Sequence, residues 1–296
     1  MKKFLKWTAI GIGGIVVLLF ALVLIRVILI KFQKEAKTKY VLEALKTSPA
    51  YSTVPVTPFP VFQYQDSSAV DLVDLRRTYH LDSIAGSGDE ISRIKNLMFW
   101  VHNNVSWDGS HFPPCAKNAK ALIAYYQNEQ RGVNCRMMSM ILSEIYLACG
   151  FKSRFITCMP KDSTDNDCHV ISIVWSETLE KWIWMDASFG AFVSDENGTL
   201  LSIEEVRERI IEEKKVALNP EASVREEYYL GYYMPKNLYW FSCSDVSAFG
   251  VEDRDASGNR MAHENVALCP EGFPAWNPYG MKFTTTHQAE QFWIRP

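Results

Sequence analysis

No tandem repeat and no long low-complexity tract occurs in these 296 residues, which argues against a repeat array and for one main domain with extensions. A basic body is also missing. Residues 1–39 carry eight basic side chains (Lys2, Lys3, Lys6, Arg26, Lys31, Lys34, Lys37, Lys39) against one acid, Glu35; that is +7 within a total of −3, and leaves −10 on the rest. Such a body offers phosphates no footprint, so nucleic acid is not expected as a partner. Close paired-ligand spacing is absent as well. His80, His102, His111, His263 and His287 stand apart, and neither they nor Cys115 read as a structural zinc site, so no metal or cofactor is expected. Finally, no small-residue cleavage site and no nearby cysteine follow the apolar run from Trp7 to Ile25. That removes a cleaved signal peptide and a bacterial lipoprotein.

The run itself is interrupted only by Thr8, and at about 1.5 Å per residue it is long enough to cross a bilayer core. The expectation is a single-pass membrane anchor within residues 1–31. Lys2, Lys3 and Lys6 favour an inside N-terminus and an extracytoplasmic body on the periplasmic side, although Arg26 and Lys31 weaken that bias. Residues 32–60 follow as a juxtamembrane stalk, charged and helical to about Leu45, and then as an extended linker where Pro49, Pro55, Pro58 and Pro60 disfavour helix. The core is expected over 61–225, with an aromatic-rich strand and loop extension over 226–296 packed on it.

Within the core, Ser87-Gly-Asp-Glu90 reads as a capping box before Ile91, Ile94, Leu97, Met98 and Val101. A second helix is expected from about Asn118 to Gln127. A third runs from Arg136 to Cys149, with Met138, Ile141, Leu142, Ile145 and Cys149 on one face and Gly150 as its stop. The period then changes: 155–159, 169–175 and 181–186 read as strands, and Ser202-Ile-Glu-Glu205 opens another helix. Helices followed by strands predict an α+β fold.

The third helix places Cys135 at its start, where unpaired N–H groups and the positive end of the helix dipole stabilise a thiolate. Such a nucleophile needs a base, and the base an orienting acceptor. His169 and Asp186 sum to 355, as do Glu177 and Thr178, so a symmetric hairpin turning there sets them opposite each other on one face. A slip of one residue would part them.

The order Gly132-Val-Asn-Cys135, helix, Gly150-Phe-Lys-Ser-Arg154, His169 at a strand start and Trp182-Ile-Trp-Met-Asp186 resembles the bacterial transglutaminase-like superfamily. The resemblance covers roughly 91–209. It implies a papain-like core of helices packed on an antiparallel sheet, with Cys135 as nucleophile, His169 as general base and acid, and Asp186 as orienter. The Cys135 backbone N–H is a natural oxyanion donor; the resemblance suggests Trp100 or Trp107 as the second, with core packing the competing reading of both. Three positions depart from the pattern: Asn134 lies between Val133 and Cys135, Val170 and Ile171 follow the histidine where an aromatic is common, and Ala187 replaces a frequent proline.

The activity expected is acyl transfer from an amide of a peptide, protein or peptidoglycan stem through a thioester, with hydrolysis preferred to transamidation. The alternative is a catalytically silent transglutaminase-like binding or scaffold domain at the membrane. With Cys135 reactive, six cysteines remain to pair in an oxidising compartment, and Cys158 with Cys168 is the first pair to consider.

Overall fold

A computed structural model describes residues 2–254, 257–259, 261–276 and 280–296, with side chains from Leu19 onward. Helix α1 runs from Lys2 to Lys46 and takes in both the expected anchor and the helical part of the stalk. The greater part of the expected anchor, 7–18, lies outside the residues whose side chains are described. Among the described residues no helix is long and apolar enough to cross a membrane. The last turn of α1 joins the body: Leu45 is buried in the apolar cluster on the extension's side of the sheet, and Arg207 donates to Ser48 at 2.7 Å.

Five helices follow: α2 (Val70–Thr78), α3 (Leu81–Ala85), α4 (Glu90–Asn104), α5 (Ala119–Glu129) and α6 (Cys135–Ala148). The cap of α4 is Asp89 and not Ser87, its carboxylate accepting from Ser92 N at 2.8 Å. Glu90, expected to close a capping box, has a different task. It accepts from Ser176 Oγ (2.7 Å), Glu177 N (2.8 Å) and Thr178 N (2.9 Å), tying the start of α4 to the turn of a hairpin far along the chain. Helix α6 ends as its sequence indicates. Gly150 takes φ +85°, where a side chain is strained, and its N–H and that of Phe151 bond back to Leu147 and Tyr146.

The strands of the main sheet are β1 (Ser153–Met159), β2 (His169–Ser176) and β3 (Lys181–Met185), then, beyond helix α7 (Ile203–Ile211), β4 (Trp240–Ser244), β5 (Asn265–Leu268) and β6 (Thr284–Thr286). They form one sheet in the order β6-β5-β4-β1-β2-β3. The expected antiparallel sheet is corrected at one edge, because β6 lies parallel to β5. The expected cap of α7 is present in full, with Ser202 and Glu205 bonding reciprocally.

Both faces of the sheet are covered, which is why every residue of β2 is buried. Phe155, Val170, Val174, Ile183 and Met185 face α2 to α6. Ile156, Ile171, Ile173, Trp182 and Trp184 face the other way, toward α7 and the C-terminal extension. Alternation therefore puts His169 and Asp186 on the extension's side and the body of α6 on the opposite one.

Candidate active site

Cys135 opens α6, and the residues before it are held at close range. Val133 exchanges hydrogen bonds with the 106–108 segment, donating to Ser106 O (2.9 Å) and accepting from Asp108 N (2.8 Å). Gly132 is required there, since a Cβ would stand 2.7 Å from Ser106 O. Asn134, the extra residue relative to the family pattern, is the N-cap: its Oδ1 accepts from Met137 N at 3.1 Å. The departure from the pattern thus fixes the helix start and leaves the Cys135 N–H free of the cap.

Small residues set how closely α6 lies on the sheet. Ser139 donates to Val170 O (2.8 Å), Ser172 donates to Ser139 O (2.9 Å), and Ser143 donates to Ser172 Oγ (3.3 Å). These buried hydroxyls pair helix with strand β2, whose first residue is His169. The nucleophile at one helix end and the imidazole at one strand end consequently meet at the end of the sheet.

The hairpin register differs from the one expected. Ser176 pairs with Lys181 and Ser172 with Met185, so paired numbers sum to 357 and the turn holds four residues, Glu177 to Glu180. A shift of two keeps side chains on their face, where a shift of one would not. Extended by one residue, this register makes Asp186 a diagonal and not a direct neighbour of His169, a separation that an imidazole can span. It does so: His169 Nε2 donates to Asp186 Oδ2 at 2.7 Å, with both side chains fully buried. Asp186 is itself anchored, its backbone paired with Ala191 and its Oδ1 accepting from Ser188 N at 2.9 Å.

With Nε2 engaged, Nδ1 is the ring nitrogen left over, and Cys135 is among the groups that act on the imidazole. Burial disfavours the charged imidazole, yet Asp186 and Cys135 together outweigh it and raise the His169 pKa to about 10. Phe189, Tyr229 and Tyr233 pack against the ring, at centroid separations of 5.6, 6.3 and 5.3 Å.

All seven cysteines are unbonded, Cys158 and Cys168 included. Burial pushes the thiol up at Cys149 (to about 12), Cys168 (about 11), Cys243 (about 11) and Cys269 (about 12), and likewise at Cys115 and Cys158. These six are inert by environment.

The two tryptophans part company. Trp107 lies beside the Cys135 loop, bridged to Val133, with its ring 5.2 Å from Phe189 and 43% exposed. Trp100 packs on Tyr79 at 5.6 Å within the helical layer. Two side chains of the site escaped the sequence reading. Tyr229 donates to Asp186 Oδ2 at 2.5 Å, and Tyr233 Oη lies 3.5 Å from His169 Nδ1. Both come from a helical stretch at 226–237 in a region read as strands and loops. The doublets Tyr228-Tyr229 and Tyr232-Tyr233, four residues apart, were the available signal of a helix with one aromatic face.

The profile of the Transglutaminase-like superfamily matches residues 77–187. No curated protein matches the chain. Among solved structures it is similar to a candidate cysteine protease from Cytophaga hutchinsonii, at 14% identity and a TM-score of 0.31, over 78% of this chain and 65% of that one. It is also similar to a candidate protease from Parabacteroides distasonis, at 15% identity and a TM-score of 0.27, over 41% of this chain and 26% of that one.

Proposed function

From the membership of residues 77–187 in the transglutaminase-like superfamily, we propose that this protein is a cysteine hydrolase acting on amide bonds of peptides or proteins, peptidoglycan stems among them. What carries the reading is the buried 2.7 Å contact between His169 and Asp186 at the end of the sheet where Cys135 opens α6. His169 takes the Cys135 proton, and the thiolate attacks the substrate carbonyl. The Cys135 N–H donates to the oxyanion, with the Trp107 indole beside the Cys135 loop as the second donor. His169 then returns the proton to the leaving amine, and water resolves the thioester. An amine in place of water would make the same site a transferase.

The test is labelling of the full chain with a thiol-reactive acyl probe, followed by peptide mapping. The adduct is expected on Cys135 alone, the six other thiols being held neutral by burial. Label spread evenly over several cysteines, with none enriched at Cys135, would turn the reading toward a silent scaffold domain.

We also place residues 1–31 as a membrane anchor, 32–60 as stalk and linker, 61–225 as the core and 226–296 as its extension, with the body outside the cytoplasm. The apolar run from Trp7 to Ile25 and Lys2, Lys3 and Lys6 before it support this arrangement. An alkaline phosphatase fused after Lys39 is expected to be active, and a silent fusion would contradict an outside body.

A further inference from the structure

Asp186 Oδ2 accepts two hydrogen bonds at once, from His169 Nε2 (2.7 Å) and from Tyr229 Oη (2.5 Å), while Oδ1 holds Ser188 N (2.9 Å). Every strong acceptor direction used by this carboxylate is therefore occupied inside the protein, at a residue with no exposed surface. Tyr229 is equally buried and comes from outside the segment that matches the family. It opens a π turn, Tyr229–Tyr233, set between the helical turns Glu226–Tyr228 and Met234–Asn237. π turns are rare and re-aim the side chains they carry. This one presents both Tyr229 and Tyr233 to the imidazole.

Resting on the triad reading above, we propose that Tyr229 is a positioning residue for the site: its hydroxyl shares Asp186 Oδ2 with His169, locks the carboxylate's rotation and withdraws part of its charge from the imidazole. The C-terminal extension thereby sets how firmly the base holds its proton. Burial and the neighbouring Asp186 both push the Tyr229 phenol up, so it stays protonated and can only donate here. Its ring is fixed independently of that bond, packed edge-on against Phe189 (5.5 Å) and Trp184 (6.1 Å). Removing the hydroxyl alone therefore leaves the packing in place.

The other titratable groups acting on this cluster are Cys135 on α6, Cys158 on β1, and Tyr233, which Asp167 just before β2 acts on in turn. Arg136, next to the nucleophile, is already matched by Glu252 through a two-point ion pair. None of these donates to Asp186 Oδ2, so the effect of losing the Tyr229 hydroxyl has no substitute. Tyr233, at 3.5 Å from Nδ1, is at the outer limit of a hydrogen bond and serves as the internal control.

The experiment compares wild type, Tyr229→Phe and Tyr233→Phe as full chains. The His169 imidazole is followed by NMR against pH, and Cys135 labelling by the acyl probe is timed at neutral pH. In Tyr229→Phe the carboxylate's charge falls wholly on His169, so the imidazolium persists about one pH unit higher. Labelling nevertheless slows about tenfold, because a carboxylate free to rotate no longer holds the imidazole in line with the thiol, a loss the size of one charge-assisted hydrogen bond. In Tyr233→Phe both readouts stay within about threefold of wild type, as expected for a contact at the distance limit. An unmoved His169 titration in Tyr229→Phe, with or without a lower melting temperature, overturns the proposal, as do equal shifts in the two variants. The titration needs no substrate. A protein that never labels at Cys135 but shows the shift loses the hydrolase reading and keeps this one.

Discussion

Cys135→Ala is expected to remove turnover, by on the order of 10⁴- to 10⁶-fold, while leaving the melting temperature nearly unchanged. The size follows from how the groups act. His169 and Asp186 do their work through the sulfur, so neither retains a function once it is gone, and what survives is binding and the oxyanion donors. The small structural cost follows from location. Cys135 is only partly buried and opens α6, whose start is held by the Asn134 cap and by the pairing of Val133 with the 106–108 segment. Alanine keeps all of these. The rate of amide hydrolysis and a thermal melt, measured on the same preparation, check both halves. Turnover within tenfold of wild type would move the nucleophile elsewhere; Cys168, partly exposed and adjacent to His169, would be the first to examine.

Much of this site was legible because its parts are local. The start and stop of α6 follow from Asn134, from a run of apolar residues at helical spacing and from Gly150, and each is a property of a few neighbouring residues. The facing of His169 and Asp186 was legible for a weaker reason. Strand alternation fixes parity, and the register of 357 in place of 355 preserves it. Which four residues form the turn was not legible, because what holds Glu177 to Glu180 is Glu90, some 86 to 88 residues away, reaching over from α4. The same long reach took Glu90 out of the capping box that its spacing with Ser87 suggested. Tyr229 and Tyr233 were hidden more completely. A phenol's partner is decided by tertiary packing, and no pattern in 226–237 says that its aromatic face will close over a carboxylate more than 40 residues back. The parallel pairing of β6 with β5 is likewise a tertiary arrangement that its own three threonines do not announce.

Asp186→Asn is the second large effect, expected to lower kcat about 10³- to 10⁴-fold at neutral pH. An amide has one acceptor and one donor, and this site offers three donors: His169 Nε2, Tyr229 Oη and Ser188 N. If the amide oxygen takes the place of Oδ2, its NH₂ confronts Ser188 N–H. If it turns, the NH₂ confronts His169 and selects the tautomer protonated at Nδ1, which cannot accept the thiol proton. In both cases the negative charge is lost. Burial, the largest influence on His169, is then opposed by Cys135 alone, and the imidazole pKa falls from about 10. The sign for stability follows by linkage. A folded-state pKa above the unfolded value of about 6.5 contributes stability that is fully present below that pH and is lost as pH rises through about 10. The melting-temperature gap between wild type and Asp186→Asn should therefore be widest near pH 6 and narrow steadily toward pH 10. A gap that widens with pH, or kcat within tenfold of wild type, would show that Asp186 does not hold the imidazolium and that His169 is oriented by another group.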